Sequence, residues 1–286
     1  MKIPRRLSGS FSPFLFFAFS FALLVRARQP QTPAGGTGSI KVVADTTVHL
    51  LAISPSGLKT GFDPSSNQDV IQIPSSDYYT GGGASTPAVK RLDIPSPASG
   101  EYILEAIGAR TGPFKLQVSA YDSQGKESGA SFVGVATLGA TFFYTIDYSP
   151  SLGAQVTALA PFSRLHADVN VYSGQPPSFD VSAEIRLGAG STGFNPLTDR
   201  VALQLASYAV TIPRGSFTED KQGNYNFRGE IEGVPLVVHI APELAGKFAL
   251  RFKVQVIDLT AAINPLRMVL MLGRNAGAKF VNSTVH

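Results

Sequence analysis

Oxygen-bearing side chains that could bind a hard cation are concentrated in one polar segment, FDPSSNQDVIQIPSSD, at residues 62–77. Asp63, Asn67 and Asp69, with Asp77 further along, offer the carboxylate and amide oxygens that calcium prefers. Their spacing does not match an EF-hand loop, which needs ligands at alternate positions and a closing glutamate. Asp and Asn also favour turns for purely structural reasons. We therefore expect no obligatory cofactor, with calcium at Asp63, Asn67 and Asp69 as the alternative.

Two adjacent aromatic residues, Tyr78 and Tyr79, precede the triplet Gly81-Gly82-Gly83. An exposed pair of tyrosine rings beside a glycine-rich loop can stack on sugar rings or on a peptide. The chain contains no tryptophan, the residue with the largest stacking face. Tyr78 and Tyr79 are nevertheless the predicted ligand-binding residues.

The usual catalytic residue types do not form a recognisable set. His49, His166 and His239 each stand alone in a β-rich run, and the fourth histidine, His286, ends the chain. The sequence contains neither the HExxH motif of zinc peptidases nor the GxSxG motif of serine hydrolases. We expect the protein not to be an enzyme.

The run Gly188-Ala189-Gly190-Ser191-Thr192-Gly193 spells GxGxxG, the dinucleotide-binding pattern. That pattern binds a pyrophosphate only when its last glycine opens a helix. Here Phe194-Asn195-Pro196-Leu197 follows and leads into another β-rich run. The pattern predicts a loop and no dinucleotide site.

The clearest element is the segment GEYILEAIGARTGPFKLQVSAYD at residues 100–122. Tyr102 and Leu104 begin one alternation of apolar and polar residues, and Phe114 and Leu116 begin a second. A period of two is typical of half-buried strands. With a turn at residues 108–113, the segment predicts a β-hairpin.

Similar runs recur along the chain, with turn signals every 8 to 12 residues and no helical periodicity. In the first half we expect about eight strands, with a long polar connection at residues 61–83 that holds one short strand at 70–73. The predicted class is all-β, with two tandem antiparallel sandwiches of jelly-roll or immunoglobulin-like type at residues 39–150 and 151–286.

Two stretches of the second half resemble each other. Each reads as strand, Asn-Pro-Leu bend and strand, with the bends at Asn195-Pro196-Leu197 and Asn264-Pro265-Leu266. The repetition predicts a pseudo-symmetric sandwich built from two related hairpins. Chance recurrence of a common turn is the alternative.

Residues 1–27 have the pattern of a secretory signal peptide, with a basic start and a short apolar run, and residues 28–38 that of a flexible linker. An uncleaved N-terminal anchor is the alternative.

The leader holds four of the 24 basic residues and none of the 20 acidic ones, so the remaining chain is formally neutral. We therefore expect neither nucleic acid nor a membrane as partner. The absence of cysteine in an exported chain favours a bacterial, extracellular or periplasmic protein.

The segment SGEYILEAIGARTGPFKLQVSAYD resembles the closing part of bacterial pre-peptidase C-terminal type domains, which are secreted β-sandwich modules found beside peptidases and other exported enzymes. The matching positions are Gly100, Tyr102, Leu104, Gly108, Gly112, Phe114, Leu116 and Val118. The resemblance covers the first sandwich only, and no peptidase precedes it in this chain. It implies an accessory role.

The sequence as a whole predicts a secreted, non-enzymatic binding or accessory protein whose partner is an extracellular or envelope protein or polymer. The alternative is a structural or envelope-assembly component whose exposed strand edges pair with other chains.

Overall fold

The computed structural model describes residues 38–83, 86–244, 246–262 and 264–286. These residues form strands, turns and loops, and within them no helix is long and apolar enough to cross a membrane. The all-β class is thereby confirmed. The predicted leader, residues 1–27, lies outside the described residues, as does the predicted linker, residues 28–38, except for Gly38.

The first eleven strands form two antiparallel sheets. They are β1 (Ser39–Asp45), β2 (Val48–Ile53), β3 (Lys59–Asp63), β4 (Gln68–Ile71), β5 (Asp77–Gly83), β6 (Thr86–Pro95), β7 (Gly100–Gly108), β8 (Gly112–Tyr121), β9 (Glu127–Ala136), β10 (Thr141–Ser149) and β11 (Gly153–Ala158). Sheet A has the order β5-β6-β1-β8-β9, and sheet B the order β11-β10-β7-β2-β3-β4.

The later strands form one eleven-stranded sheet. They are β12 (Ala160–Tyr172), β13 (Ser178–Leu187), β14 (Val201–Leu205), β15 (Tyr208–Ile212), β16 (Thr218–Glu219), β17 (Tyr225–Ile231), β18 (Val234–Pro242), β19 (Lys247–Gln255), β20 (Leu266–Leu272), β21 (Asn275–Val281) and β22 (Ser283–Val285). The start of β12 pairs with β21, and its remainder pairs with β13. The sheet thus has two leaves joined by β12: leaf C, with the order β15-β14-β20-β21, and leaf D, which runs from β12 through β13, β19, β18 and β17 to β16.

Alternating side chains build two cores, one in each sandwich. In β8 and β13 buried apolar residues alternate with residues that are exposed or half-buried, as a strand with one covered face requires. Sheets A and B enclose the first core, which includes Ile40, Leu92, Tyr102, Leu104, Leu116 and Ile146. Leaves C and D enclose the second, which includes Val169, Phe179, Val181, Leu203, Phe252 and Leu270. The β-sandwich character expected from the sequence is present in both halves.

A third apolar layer lies between sheet B and leaf C. Strand β20 is buried at all seven positions, because one of its faces packs on leaf D and the other on sheet B. Phe143 of β10 contributes to this layer together with Val269 and Met271 of β20. The order of layers is therefore A, B, C, D. The predicted division at residue 150 falls between β10 and β11, which pair within sheet B.

The segment at residues 100–122 is not a hairpin, and that expectation is wrong. Its two strands are present, but β7 pairs with β2 and β10 in sheet B, whereas β8 pairs with β1 and β9 in sheet A. Tyr102 and Phe114 thus face the same core from opposite sheets. Alternation shows which face of a strand is buried but does not show which strand lies beside it.

The polar connection expected at residues 61–83 is also more ordered than predicted. It contains the end of β3 and all of β4 and β5, where a single short strand was expected. A strand at the edge of a sheet is hydrogen-bonded on one side only and buries few side chains. Its sequence therefore shows little of the alternation between apolar and polar residues that predicts a strand.

The two similar stretches occupy equivalent places in the second sandwich. Strands β13 and β19 are antiparallel neighbours in leaf D, and β14 and β20 are antiparallel neighbours in leaf C. Each Asn-Pro-Leu bend therefore lies where the chain passes from leaf D to leaf C. The strand order fits the predicted repeat, but its units are arches between layers rather than hairpins. The bends themselves differ, because Asn195 Oδ1 accepts the Leu197 N–H, whereas the side chain of Asn264 is hydrogen-bonded to the backbone of Ser283.

Candidate functional site

A polar cleft of about 690 Å³ lies where the outward face of sheet B meets the loop between β13 and β14 and the turn between β20 and β21. Both halves of the chain supply its walls. Six charged residues line it: Glu101, Asp147, Asp199, Arg200, Arg214 and Arg274. We refer to this feature as the charged cleft.

The sheet B wall follows from strand pairing. Glu101 of β7 lies directly opposite Asp147 of β10, and Asp147 lies opposite Gln155 of β11. In the next row on the same face, Thr145 lies opposite Thr157. Because side chains alternate along a strand, these polar groups point away from the apolar core behind them.

The opposite wall is a loop held by hydrogen bonds. The buried side chain of Asn275 donates from Nδ2 to the carbonyl oxygens of Gly193 and Leu272, each at 3.0 Å. Asp199 Oδ2 accepts the Asn195 N–H at 2.9 Å and so closes the first Asn-Pro-Leu bend. Gly273 has φ +57, and a β-carbon there would lie 2.9 Å from Asp199 Oδ2. The wall is therefore closely fitted around Asp199.

Arg200 is the charged residue that joins the two walls, through an ion pair with Glu101. Burial, with the like charge of Arg214 acting in the same direction, lowers the pKa of Arg200 to about 10. The carboxylate of Glu101 favours the charged form of the guanidinium. Arg200 is thus a cation at neutral pH and holds the loop wall against sheet B.

The other four charges are not paired with each other. Within the described part of the chain, Arg214 and Arg274 form no ion pair, and the same holds for Asp147 and Asp199. Arg214, Arg274 and Asp147 are exposed to solvent. The charged cleft therefore presents unpaired groups of both signs beside hydroxyl and amide side chains, and a ligand that also carries both signs would complement it.

The structure does not bring Tyr78 and Tyr79 together, so the expected two-ring platform is wrong. They are consecutive in β5 and face opposite sides of sheet A. Tyr78 is buried in the first core, its hydroxyl accepts the Leu50 N–H at 3.4 Å, and burial raises its pKa to about 12. Tyr79 is 40% exposed, and its hydroxyl donates to Asp93 Oδ2 at 3.5 Å. A ligand-binding role for Tyr79 alone stays a prediction.

The candidate calcium ligands do not converge either. Asp63 ends β3, and Asn67 lies in the turn that follows. Asp69 in β4 lies opposite Phe62, the residue before Asp63 in β3. Because side chains alternate along a strand, Asp63 and Asp69 face opposite sides of the sheet. Asp77 begins β5 in sheet A. No group of three or more His, Cys, Asp or Glu side chains within the described residues is arranged to hold a metal. Calcium binding at Asp63, Asn67 and Asp69 stays an untested alternative.

Asp63 is already engaged by other groups. Lys59 Nζ donates to its Oδ2 at 2.9 Å, and the Ser65 N–H donates to its Oδ1 at 2.9 Å. Burial alone would raise the pKa of Asp63, but these hydrogen bonds and the charge of Lys59 outweigh it and lower the pKa.

His49 lies apart from the other two strand histidines, His166 and His239, which line one pocket of about 430 Å³ on the outer face of leaf D. His49 stacks on Phe62 with ring centroids 4.2 Å apart. His166 and His239 both face outward from leaf D, on β12 and β18, which are separated by β13 and β19. His239 Nδ1 lies 2.9 Å from Asn226 Oδ1.

The Gly-rich run at residues 188–193 is a loop with no helix after it, as predicted. Two of its residues, Thr192 and Gly193, line the charged cleft. The six charged residues were not predicted from the sequence, because they lie on five separate stretches between residues 101 and 274, and only Asp199 and Arg200 are adjacent. The Gly-rich loop and the first Asn-Pro-Leu bend were the local signals near the site.

Comparison with known proteins identifies no family. No family model matches the chain. No curated protein matches it. One solved structure, three immunoglobulin domains of titin in a glutamate-to-alanine variant, aligns over 88% of this chain and 93% of its own with 11% identity and a TM-score of 0.19. A TM-score of that size supports no argument about this chain.

Proposed function

We propose that this chain is a secreted, non-enzymatic binding or accessory protein and that the charged cleft is its binding site. The observation that carries the proposal is the set of charged groups that form no ion pair within the described residues, Arg214 and Arg274 with Asp147 and Asp199, in a cleft large enough for a ligand. The resemblance of residues 99–122 to secreted accessory modules supports the same role.

The side chains that line the charged cleft can form hydrogen bonds and ion pairs to a polar ligand. The hydroxyls of Thr145, Thr157 and Thr192 and the amide of Gln155 can form hydrogen bonds to a polar chain. We infer that the partner is an extracellular or envelope protein or polymer that presents a segment with both positive and negative groups.

A retention experiment tests this function. The chain from residue 28 onward, which contains every described residue, is immobilised and exposed to the extracellular and envelope fractions of its own source. We expect saturable retention of a protein or polymer. Arg→Ala substitution at both Arg214 and Arg274 should weaken retention at least about tenfold, because arginines often contribute strongly to binding energy.

The matched control is the double substitution Arg164→Ala and Arg228→Ala, which removes two exposed arginines on leaf D. Equal retention by both double variants would contradict a site in the charged cleft. Turnover of a peptidase, glycosidase or esterase substrate that a point substitution abolishes would contradict a non-enzymatic role.

A further inference from the structure

Strand β9 is an open edge of sheet A. It pairs with β8 over residues Glu127–Ala136. At its start, Ser128 Oγ accepts the Ala154 N–H of β11 at 2.7 Å. From residue 129 to 136, no backbone hydrogen bond within the described residues joins β9 to any strand except β8. One row of peptide groups is therefore available to another strand.

Proteins usually protect such edges with charges, prolines, bulges or short length. The other edge of sheet A, β5, has an irregular register at Gly81–Gly83, and the edges of sheet B, β4 and β11, have four and six residues. Strand β9 has ten residues, ESGASFVGVA, and Glu127 at its start is the only charge. Apart from that residue and the contact of its start with β11, it has none of the usual protection.

The outward side chains of β9 are apolar and unusually exposed. Val133 is 82% exposed and Val135 is 68% exposed, and both lie on the outer face of sheet A. Leu138, just beyond the strand, is 75% exposed. An apolar strip beside an open row of peptide groups is suited to contact with a further β-strand.

We propose that β9 pairs antiparallel with β9 of a second copy of this chain, around a two-fold axis. This pairing joins two five-stranded sheets into one of ten strands. It places the two Glu127 carboxylates at opposite ends of the paired strands, so no like charges face each other. It also brings Val133 and Val135 of both copies onto one face, where they shield each other from water. This contact specifies one strand edge for the alternative function, a component that assembles through its strand edges. The proposal does not depend on the charged cleft.

Two-fold pairing predicts that the assembly contains two copies of the chain. Each copy uses its β9 edge once, so assembly stops at a dimer. Sedimentation equilibrium of the chain from residue 28 onward should give twice the monomer mass at about 10 to 100 µM, concentrations at which a micromolar dissociation constant is measurable. Hydrogen exchange should show amides of residues 129–136 that become protected as the dimer forms.

The test substitution is Val133→Lys with Val135→Lys, which places four ammonium groups together in the dimer. We expect dimerisation at least about tenfold weaker, with circular dichroism unchanged because both valines are exposed. The control is Ile71→Lys with Leu244→Lys, at apolar residues that are 58% and 81% exposed and lie off this edge; it should dimerise normally. A monomer at all concentrations, polymers larger than a dimer, or equal dimerisation of both lysine variants would overturn the proposal.

Discussion

Glu105 and Arg267 place opposite charges where almost no water reaches. Their side chains are 0% and 3% exposed, and the guanidinium makes two contacts with the carboxylate, at 2.5 and 3.4 Å. Glu105 belongs to sheet B and Arg267 to leaf C, so this pair joins the two sandwiches across their apolar layer. Charges buried in this way stabilise only as a pair, because either one alone would be left desolvated.

His49 predicts a pH dependence of stability. Burial lowers its pKa below 6.5, the positive charge of Lys90 adds to this, and Asp69 acts in the opposite direction. Its Nδ1 has no hydrogen-bond partner within the described residues. As pH falls, the unfolded chain takes up this proton before the folded chain does, so the free energy of unfolding decreases below about pH 6.5.

Substitution His49→Phe retains a ring to stack on Phe62 and removes the titration. Urea unfolding should show a smaller loss of stability between about pH 7 and pH 5 than in the unsubstituted chain. The exposed His166, changed to Phe, is the control. If the His49→Phe chain keeps the full pH dependence, the assigned role of His49 is wrong.

Asp63 leads to a prediction about calcium. Its carboxylate binds Lys59, and Asp69 faces the other side of the sheet. We therefore expect the same melting temperature in about 1 mM calcium and in EDTA, although extracellular modules commonly bind calcium in that range. Thermal unfolding followed by circular dichroism measures this. A calcium-dependent rise that Asp63→Asn abolishes would show that the loop rearranges into a site.

The pairing of β3 with β2 requires the two backbones to lie unusually close together at Gly61. Gly61 has φ +124, and a β-carbon there would lie 2.1 Å from the carbonyl oxygen of Leu50 in β2. Gly61→Ala must therefore separate β2 from β3. We expect a loss of about 2 to 4 kcal/mol in the free energy of unfolding, as for other strained backbone substitutions.

Gly57 provides the matched control. It also has a positive φ, +81, but a β-carbon there would meet nothing within 4 Å. Gly57→Ala should cost about 1 kcal/mol, from backbone conformation alone. Equal losses in the two variants, measured by urea unfolding, would mean that the close approach to Leu50 is unimportant.

Most strands were predictable from the sequence, whereas their neighbours were not. The alternation in residues 100–122 located β7 and β8, yet the chain between them crosses the core. Apolar residues facing a core look the same in a hairpin and in an arch. The Asn-Pro-Leu repeat carried more information, since each bend marks a passage between leaves D and C.

The candidate site was far less predictable, for a reason that belongs to the whole molecule. The walls of the charged cleft come from β7, β10 and β11 on one side and from residues 192–200, 214 and 273–274 on the other. The charged residues of this cleft stand singly at strand ends and in loops, so no local sequence pattern predicts that they lie together. They meet only because sheet B packs on leaf C. The tyrosine and calcium candidates were chosen for local composition and do not lie at this junction.

The packing of the two sandwiches predicts the effect of breaking their buried ion pair. Arg267→Met leaves Glu105 desolvated and should reduce the free energy of unfolding by about 3 to 5 kcal/mol. The double substitution Arg267→Met with Glu105→Leu should recover much of that loss, because it leaves no unpaired charge. Thermal unfolding of both variants measures this, and a double variant no more stable than Arg267→Met would contradict it.

Sheet B and leaf C hold the two halves as one unit, and only in that unit do the walls of the charged cleft keep their positions. Scanning calorimetry of the chain from residue 28 onward tests this cohesion. We expect one heat-absorption peak whose calorimetric and van't Hoff enthalpies agree. Two separable peaks, each with its own transition temperature, would show that the sandwiches unfold independently and that no such unit exists.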